Sequence, residues 1–297
     1  MPLGSRILKA TISLPSGDVI LDQSLDMRIK IQKDALAIQN TCDIEVFDLS
    51  QSLREALLSQ FSAWNKRNIE WGSPGYAASY INVSVIAGYE TYVNGSVQQN
   101  TTEVFQGQIV LSAPTGMFPN LGVRLSCYSQ QINKLNWVSE PAPASGTFKS
   151  YVEWAAQWLG VSSVVCETSY DNTVITNQFA TTAVASSLLI QMQNAFHPAV
   201  VAFIDNNVLY VKDAKKVIAA ANIVTVDEFV GTPPMWTEWG VEFTTLLNPQ
   251  IALAGACTLK STLNPSLNQT FVNSGLEYDL SSRDTAFYVK VKGSAPA

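Results

Sequence analysis

The sequence predicts a mainly β chain with an α+β insert, organised as two β-barrel domains flanking a small α+β domain. Three observations carry that prediction. Apolar and polar residues alternate with the period of half-buried strands near both ends of the chain. Between those blocks the pattern switches to helical spacing around one tight hairpin. A run rich in proline, glycine and serine, VSEPAPASGT at 138–147, separates the first block from the rest of the chain. The expected division is 1–137 for a first barrel with a short helix, 138–147 for a linker, 148–222 for the α+β unit and a connector, and 223–297 for a second barrel.

In the first block Leu8, Ala10, Ile12 and Leu14 alternate with polar residues, Pro15-Ser16-Gly17-Asp18 turns the chain, and Met27, Ile29 and Ile31 alternate with Arg28, Lys30 and Gln32. A further strand, Cys42 to Phe47, leads to Ser50, which has the chemistry of a helix N-cap, and Leu53, Leu57 and Phe61 recur on one face of the helix behind it. Residues Asn65 to Tyr80, with Gly72 and Gly75, read as a loop. Strands resume with Ile81, Val83 and Val85, then Phe105, Ile109 and Leu111 on one face, then Leu121, Val123, Leu125 and Cys127; Gly107 marks a bulge or bend.

Beyond the linker, Tyr151, Trp154 and Trp158, widened by Phe148, Val152 and Leu159, form a broad apolar helix face that Gly160 ends. A second helix is expected from Thr182 to Ala195, stopping before Pro198. Ala199 to Ile204 and Val208 to Val211 flank Asp205-Asn206-Asn207, a hairpin turn of residues that tolerate left-handed backbone. In the last block Val241, Phe243 and Thr245 form a strand with Trp239 on the same face and Glu238 and Glu242 on the other. Cys257 and Leu259, after Ala254-Gly255, read as the returning strand of its hairpin, and Leu276 to Leu280 and Phe287 to Val291 close the unit.

Three stretches resemble a known family. Trp239-Gly240-Val241-Glu242-Phe243 followed by Thr245-Leu246-Leu247-Asn248-Pro249 resembles the last domain of bacteriophage tail baseplate hub proteins, the Mu-like and P2-like hub family. Ile44 to Ser50 followed by Leu53-Arg54, and Glu103 to Ile109, resemble that family's first barrel. The resemblance implies a virion structural protein that is not an enzyme. It implies a homotrimer whose paired barrels form a ring of approximate sixfold symmetry, adapting the tail tube or distal tail proteins above to the central spike below. Other baseplate proteins surround such a ring, DNA passes through its channel without specific binding, and assembly takes place in the host cytoplasm.

Composition agrees with a packed, multi-domain protein: 297 residues, 47% hydrophobic and only 14% charged. No run approaches the ~20 apolar residues of a membrane span, so no membrane insertion is expected, and the first residues lack the apolar core of a signal peptide. Eighteen basic against twenty-four acidic residues, a net charge of −6, leave no basic footprint for nucleic acid. If part of that acidity faces a bore, it repels DNA. Cys42, Cys127, Cys166 and Cys257 are dispersed and read as reduced thiols.

Candidates for chemistry are few. His197 is the only histidine and stands at a helix end, where a favourable charge beside the dipole explains it better than a catalytic triad. One histidine and four scattered cysteines give no zinc spacing, and no phosphate-binding glycine motif occurs, so no metal, cofactor or catalytic residue is assigned. Glu238 between Trp236 and Trp239, with Glu242, Asp227 or Glu228 as a second carboxylate, defines the alternative of a peptidoglycan hydrolase; exposed Trp236 or Trp239 alone defines that of a sugar-binding module.

Overall fold

The computed structural model describes residues 4–14, 17–75, 81–93, 96–129, 137–143, 145–175 and 184–294. The first block supplies β1 (Ser5–Leu14), β2 (Gly17–Leu21), β3 (Met27–Asp34), β4 (Thr41–Phe47), α1 (Gln51–Gln60), α2 (Ala63–Glu70), β5 (Ile81–Val93), β6 (Ser96–Met117) and β7 (Asn120–Tyr128). The insert supplies β8 (Gly146–Thr147), α3 (Phe148–Leu159), β9 (Ser163–Glu167), β10 (Val174–Ile175), α4 (Ala185–Ala195), β11 (Val200–Asp205) and β12 (Val208–Asp213). The last block supplies β13 (Ile223–Val226), β14 (Met235–Thr237), β15 (Gly240–Leu246), β16 (Ala256–Leu259), β17 (Thr270–Ser281) and β18 (Phe287–Ser294).

The fold is mainly β with an α+β insert, and its two strand blocks share one sheet. Hydrogen-bonded strands run β14-β15-β18-β17-β3-β4-β7-β6-β5-β1-β2, with β16 beside the start of β17 and β13 parallel to β16. Among the described residues this path is open, which corrects the expectation of two separately closed barrels. A strand has two edges, and those of β3 are taken by β4 and by β17, so β2 has no edge of β3 on which to close the first unit. The seam between β3 and β17 runs from Asp34 opposite Gly275 to Arg28 opposite Ser281. Beneath it a single apolar core runs through both blocks, from Leu8 and Ile29 to Leu280 and Val291.

Other expectations are corrected in the same way. Cys257 and Leu259 lie in β16, which pairs with β17 and β13 and not with β15, whose partners are β14 and β18. The connection from β15 is no tight turn, because Leu247, Ile251, Leu253 and Ala254 are buried and it fills the core. The segment read as a loop from Asn65 contains α2, capped by Ser62 Oγ accepting from the Asn65 N–H at 3.2 Å. None of its residues is buried, so it has no apolar period to betray it. Residues 76–80 of that loop lie outside the described residues, as do Pro15-Ser16 of the first turn and Thr182 at the expected helix start, the described α4 beginning at Ala185. Gly107 pairs regularly with Val83, while the bulges of β6 fall at Val104 and Val110. The second bulge turns Leu111 away from the face shared by Phe105 and Ile109 and buries Ser112 in its place.

The insert packs a second core from α3, α4 and the sheet β11-β12-β9. Thr147 Oγ1 caps α3 by accepting from the Ser150 N–H, and Gly160 ends it at φ +63°, left-handed backbone that costs glycine little. Val138 and Ala142, in the stretch before α3, are buried in this core. The β11–β12 turn places Asn206 and Asn207 at φ +45° and +63°, the twist a two-residue hairpin needs.

That turn plugs into the first block. Lys33 Nζ donates to Asp205 Oδ1 at 2.5 Å and to Asn206 Oδ1 at 3.0 Å, Asn40 Nδ2 donates to the Ile204 carbonyl at 3.0 Å, and Asn206 Nδ2 donates to the Glu103 carbonyl at 2.6 Å. Lys33 is 3% exposed and Asp205 15%, so the ion pair is shielded from solvent. Phe203 continues the contact by entering the core of the strand blocks.

The buried thiols set an alkaline limit on stability. Burial pushes the Cys257 and Cys166 thiols up to about 12 from an ordinary 9.0, and raises Cys42 and Cys127 as well. A raised thiol keeps its proton in the fold while the unfolded chain loses it, so this stability is complete below about pH 9 and drains as the pH climbs toward 12. Lys212 works oppositely. Burial draws its ammonium down to about 8 despite Asp213, so from there to 10.5 the unfolded chain holds the extra proton and stability rises. Four thiols outweigh one lysine, and thermal unfolding is expected at progressively lower temperature from pH 9 to 11. A melting temperature flat or rising over that window would contradict this account.

Candidate functional site

The seam gives one solvated face to six adjacent strands, β7-β4-β3-β17-β18-β15, whose opposite face is core. Its outward residues stand in rungs across the strands. Arg124, Glu45 and Arg28 form one rung, and Asp43, Lys30 and Asp279 the next, continued by Tyr288. Glu277 and Lys290 form the third, and Asp34, Gly275, Lys292 and Glu242 the fourth. Charge alternates along each rung, with five cations against six carboxylates over the face.

Ion pairs join several of these neighbours. Arg124 donates to Asp43 at 2.7 Å, Lys290 meets Glu242 at 2.8 Å, and Lys292 meets Glu277. The hydrogen bond to Asp43 raises the Arg124 guanidinium above its ordinary value, and the bond to Glu277 does the same for Lys292. The nearby Asp279 carboxylate raises Tyr288, chiefly by its charge. A depression of about 390 Å³ opens on the face at the seam, lined by Lys30, Asp43, Glu277, Asp279, Tyr288 and Lys290.

The residues considered for sugar cleavage are placed apart. Glu238 and Trp239 form the exposed turn between β14 and β15, so neither lies on the strand face expected for it; Thr237 pairs with Gly240 across that turn. Trp239 is 81% exposed, whereas Trp236 donates its Nε1–H to Ser266 Oγ and sets its ring edge-on to Phe271. Glu242 is engaged by Lys290. Asp227 and Glu228 line a different cleft, about 460 Å³, with Tyr89, Gln98, Asn100 and Asn248. His197 is exposed in the turn after α4.

One cluster with the look of chemistry escaped the sequence reading. Ser169 Oγ donates to Asp213 at 2.6 Å, and Lys216 Nζ reaches Ser169 Oγ at 2.8 Å and Asp213 at 2.6 Å. Burial works against the Asp213 carboxylate, but the bonds from Lys216 and Ser169 hold it below its ordinary value. The serine proton therefore points at an anion, and the lysine, 66% exposed, faces two acceptors. This is the wiring of a turn cap, without a base free to activate the hydroxyl. Among the described residues no group of histidine, cysteine and carboxylate side chains could hold a metal ion.

The family model described as baseplate hub gp41 matches residues 7–293, nearly the whole chain. The chain belongs to the baseplate hub gp41 family. Solved structures agree with this hub assignment at the level of the fold. A tail protein from Neisseria meningitidis MC58 superposes with a TM-score of 0.57 at 10% identity, covering 97% of this chain and 96% of that one. The 43 kDa tail protein of prophage MuSo2 from Shewanella oneidensis gives 0.57 at 10% identity over 96% and 97%. An Escherichia coli component of the type VI secretion system, described as structurally similar to the T4 bacteriophage tail proteins gp27 and gp5, gives 0.55 at 7% identity over 92% and 74%. No curated protein matches the hub chain by sequence. The hub is a structural part of a phage tail baseplate.

Proposed function

We propose that three copies of this hub chain close into a ring around a central channel, adapting a sixfold tail tube to a threefold spike. The observation that carries this reading is the β3–β17 seam, by which one chain sets two strand blocks side by side in a single sheet. Three such chains present six blocks, and heterologous contacts that close after three copies make the ring. The working units are then the two strand blocks, 1–137 and 223–297, with 148–222 as an outrigger held by the Lys33 socket. Its partners are tail tube or distal tail proteins on one side, the spike on the other, and the remaining baseplate proteins around it, assembled in the host cytoplasm. The work is geometric and requires no turnover.

The likeness to a secretion-system component described as structurally similar to the T4 bacteriophage tail proteins gp27 and gp5 supports the same reading, because it extends the shared fold to a protein compared with tail proteins. Light scattering on the purified chain is expected to give three times the monomer mass, and negative-stain images a ring with a central hole. A monomer at concentrations well above micromolar, or a compact particle without a hole, overturns it.

A further inference from the structure

We propose that the cleft between the β5–β6 hairpin and the last strand block binds an uncharged glycan, through a sugar unit with free hydroxyls. The cleft holds about 460 Å³, within the roughly 300–1,000 Å³ of small-ligand sites. One chain builds it whole, so it exists with or without the ring. Two opposed pairs, Tyr89 with Asn100 and Thr91 with Gln98, turn one face of the hairpin toward the last block, where the Tyr89 ring stands edge-on to Phe287. Thr225 to Glu228 and Thr245 to Asn248 form the opposite wall.

The deciding feature is Thr245. It takes the inward position of β15 after Val241 and Phe243, where the alternation calls for an apolar side chain, and it is only 7% exposed. Its hydroxyl nevertheless has no hydrogen-bond partner among the described residues, and it opens on the cleft instead of being sealed in the core. A hydroxyl so placed costs stability unless something entering the cleft bonds to it.

Ligand chemistry follows from the walls. Among the described residues no lysine or arginine lines the cleft, while Asp227 and Glu228 stand exposed in it, so anions are repelled. Carboxylates only accept hydrogen bonds, whereas the amides of Gln98, Asn100 and Asn248 and the hydroxyls both give and accept them. Their complement is a ligand whose own groups do both, as sugar hydroxyls do. Buried Leu247 and Ile251 add an apolar floor for the C–H face of a pyranose ring. A wholly apolar ligand would leave the Thr245 hydroxyl dry and unpaired. Trp236 and Trp239 take no part, since neither lines the cleft.

The test is titration calorimetry of the purified chain with maltotriose, cellotriose, chitotriose and mannotriose, and with trilysine and trigalacturonate as charged probes. At least one neutral trisaccharide is expected to bind saturably, with little change between about 50 and 200 mM salt, and neither charged probe to bind. Thr245→Val is expected to weaken that binding about tenfold. It should leave the melting temperature of the free chain unchanged or higher, because valine removes a buried hydroxyl that no protein group satisfies. Asn100→Ala, at an exposed position, should weaken binding several-fold, and Trp239→Ala should leave it unchanged. No binding across the neutral panel overturns the proposal, as does binding indifferent to Thr245→Val. A lower melting temperature for Thr245→Val overturns it by giving the hydroxyl a role in the fold. Saturable trilysine binding that salt abolishes overturns it by making the cleft a cation site.

Discussion

Lys33→Met is expected to destabilise the chain by about 3–5 kcal/mol, because it removes one member of a shielded ion pair and leaves Asp205 charged with only the long 3.5 Å bond from Asn40 Nδ2 on its Oδ1. Asp205 and Asn206 both accept from the Lys33 ammonium, and both sit in the turn that joins the insert to the first strand block. The methionine fills most of the space of the lysine stem but supplies no donor. The Lys33→Met/Asp205→Leu double variant is expected to recover most of the loss, since two apolar groups cancel the desolvation cost that the single variant leaves exposed. Urea unfolding of the wild type, both single variants and the double variant measures the cycle. A Lys33→Met chain within about 1 kcal/mol of wild type would show that the socket does not carry the junction.

Leu280→Ala is expected to cost about 2–5 kcal/mol, the range for emptying a fully buried leucine position. Leu280 stands opposite Ile29 across the seam, and both are completely buried in the core beneath it. The loss therefore weakens the joint between the strand blocks as well as the packing of one of them. With Ile29→Ala as the second member of a cycle, a coupling of roughly 0.5–3 kcal/mol is expected for residues in contact. One common unfolding transition should persist in every variant, because one core serves both blocks. Strict additivity of the two substitutions, or separate melting of the two ends, would refute the joint.

Much of this was legible because strand burial writes a period of two into the sequence. The alternation of Met27, Ile29 and Ile31, and of Phe287, Val289 and Val291, places these residues inward as expected. Ser50 caps α1 with its hydroxyl accepting from the Leu53 N–H, and the Asn206-Asn207 turn adopts the left-handed backbone its residue types allow. What stayed hidden is non-local. Arg28 and Lys30 were readable as outward on β3, and Lys290 and Lys292 on β18, but nothing local to either strand says that β17 lies between them. The misassigned pairing of β15 and β16 has the same origin: turn signals identify where a chain bends, and the buried loop at 247–255 bends without bringing its flanking strands together. The Lys33 socket was invisible for a further reason. A lysine in an alternating strand reads as solvated until the Asp205 that covers it is brought from another part of the chain.

The pairing of β3 with β17 also orders events during synthesis. On the ribosome β3 is made early, and its outer edge can find its own partner only when Thr270–Ser281 have left the exit tunnel. Until then the nascent first block carries a bare row of peptide groups, the kind of surface on which unfinished chains stick to one another. A copy interrupted before that point lacks β17 and β18 and therefore cannot complete the sheet.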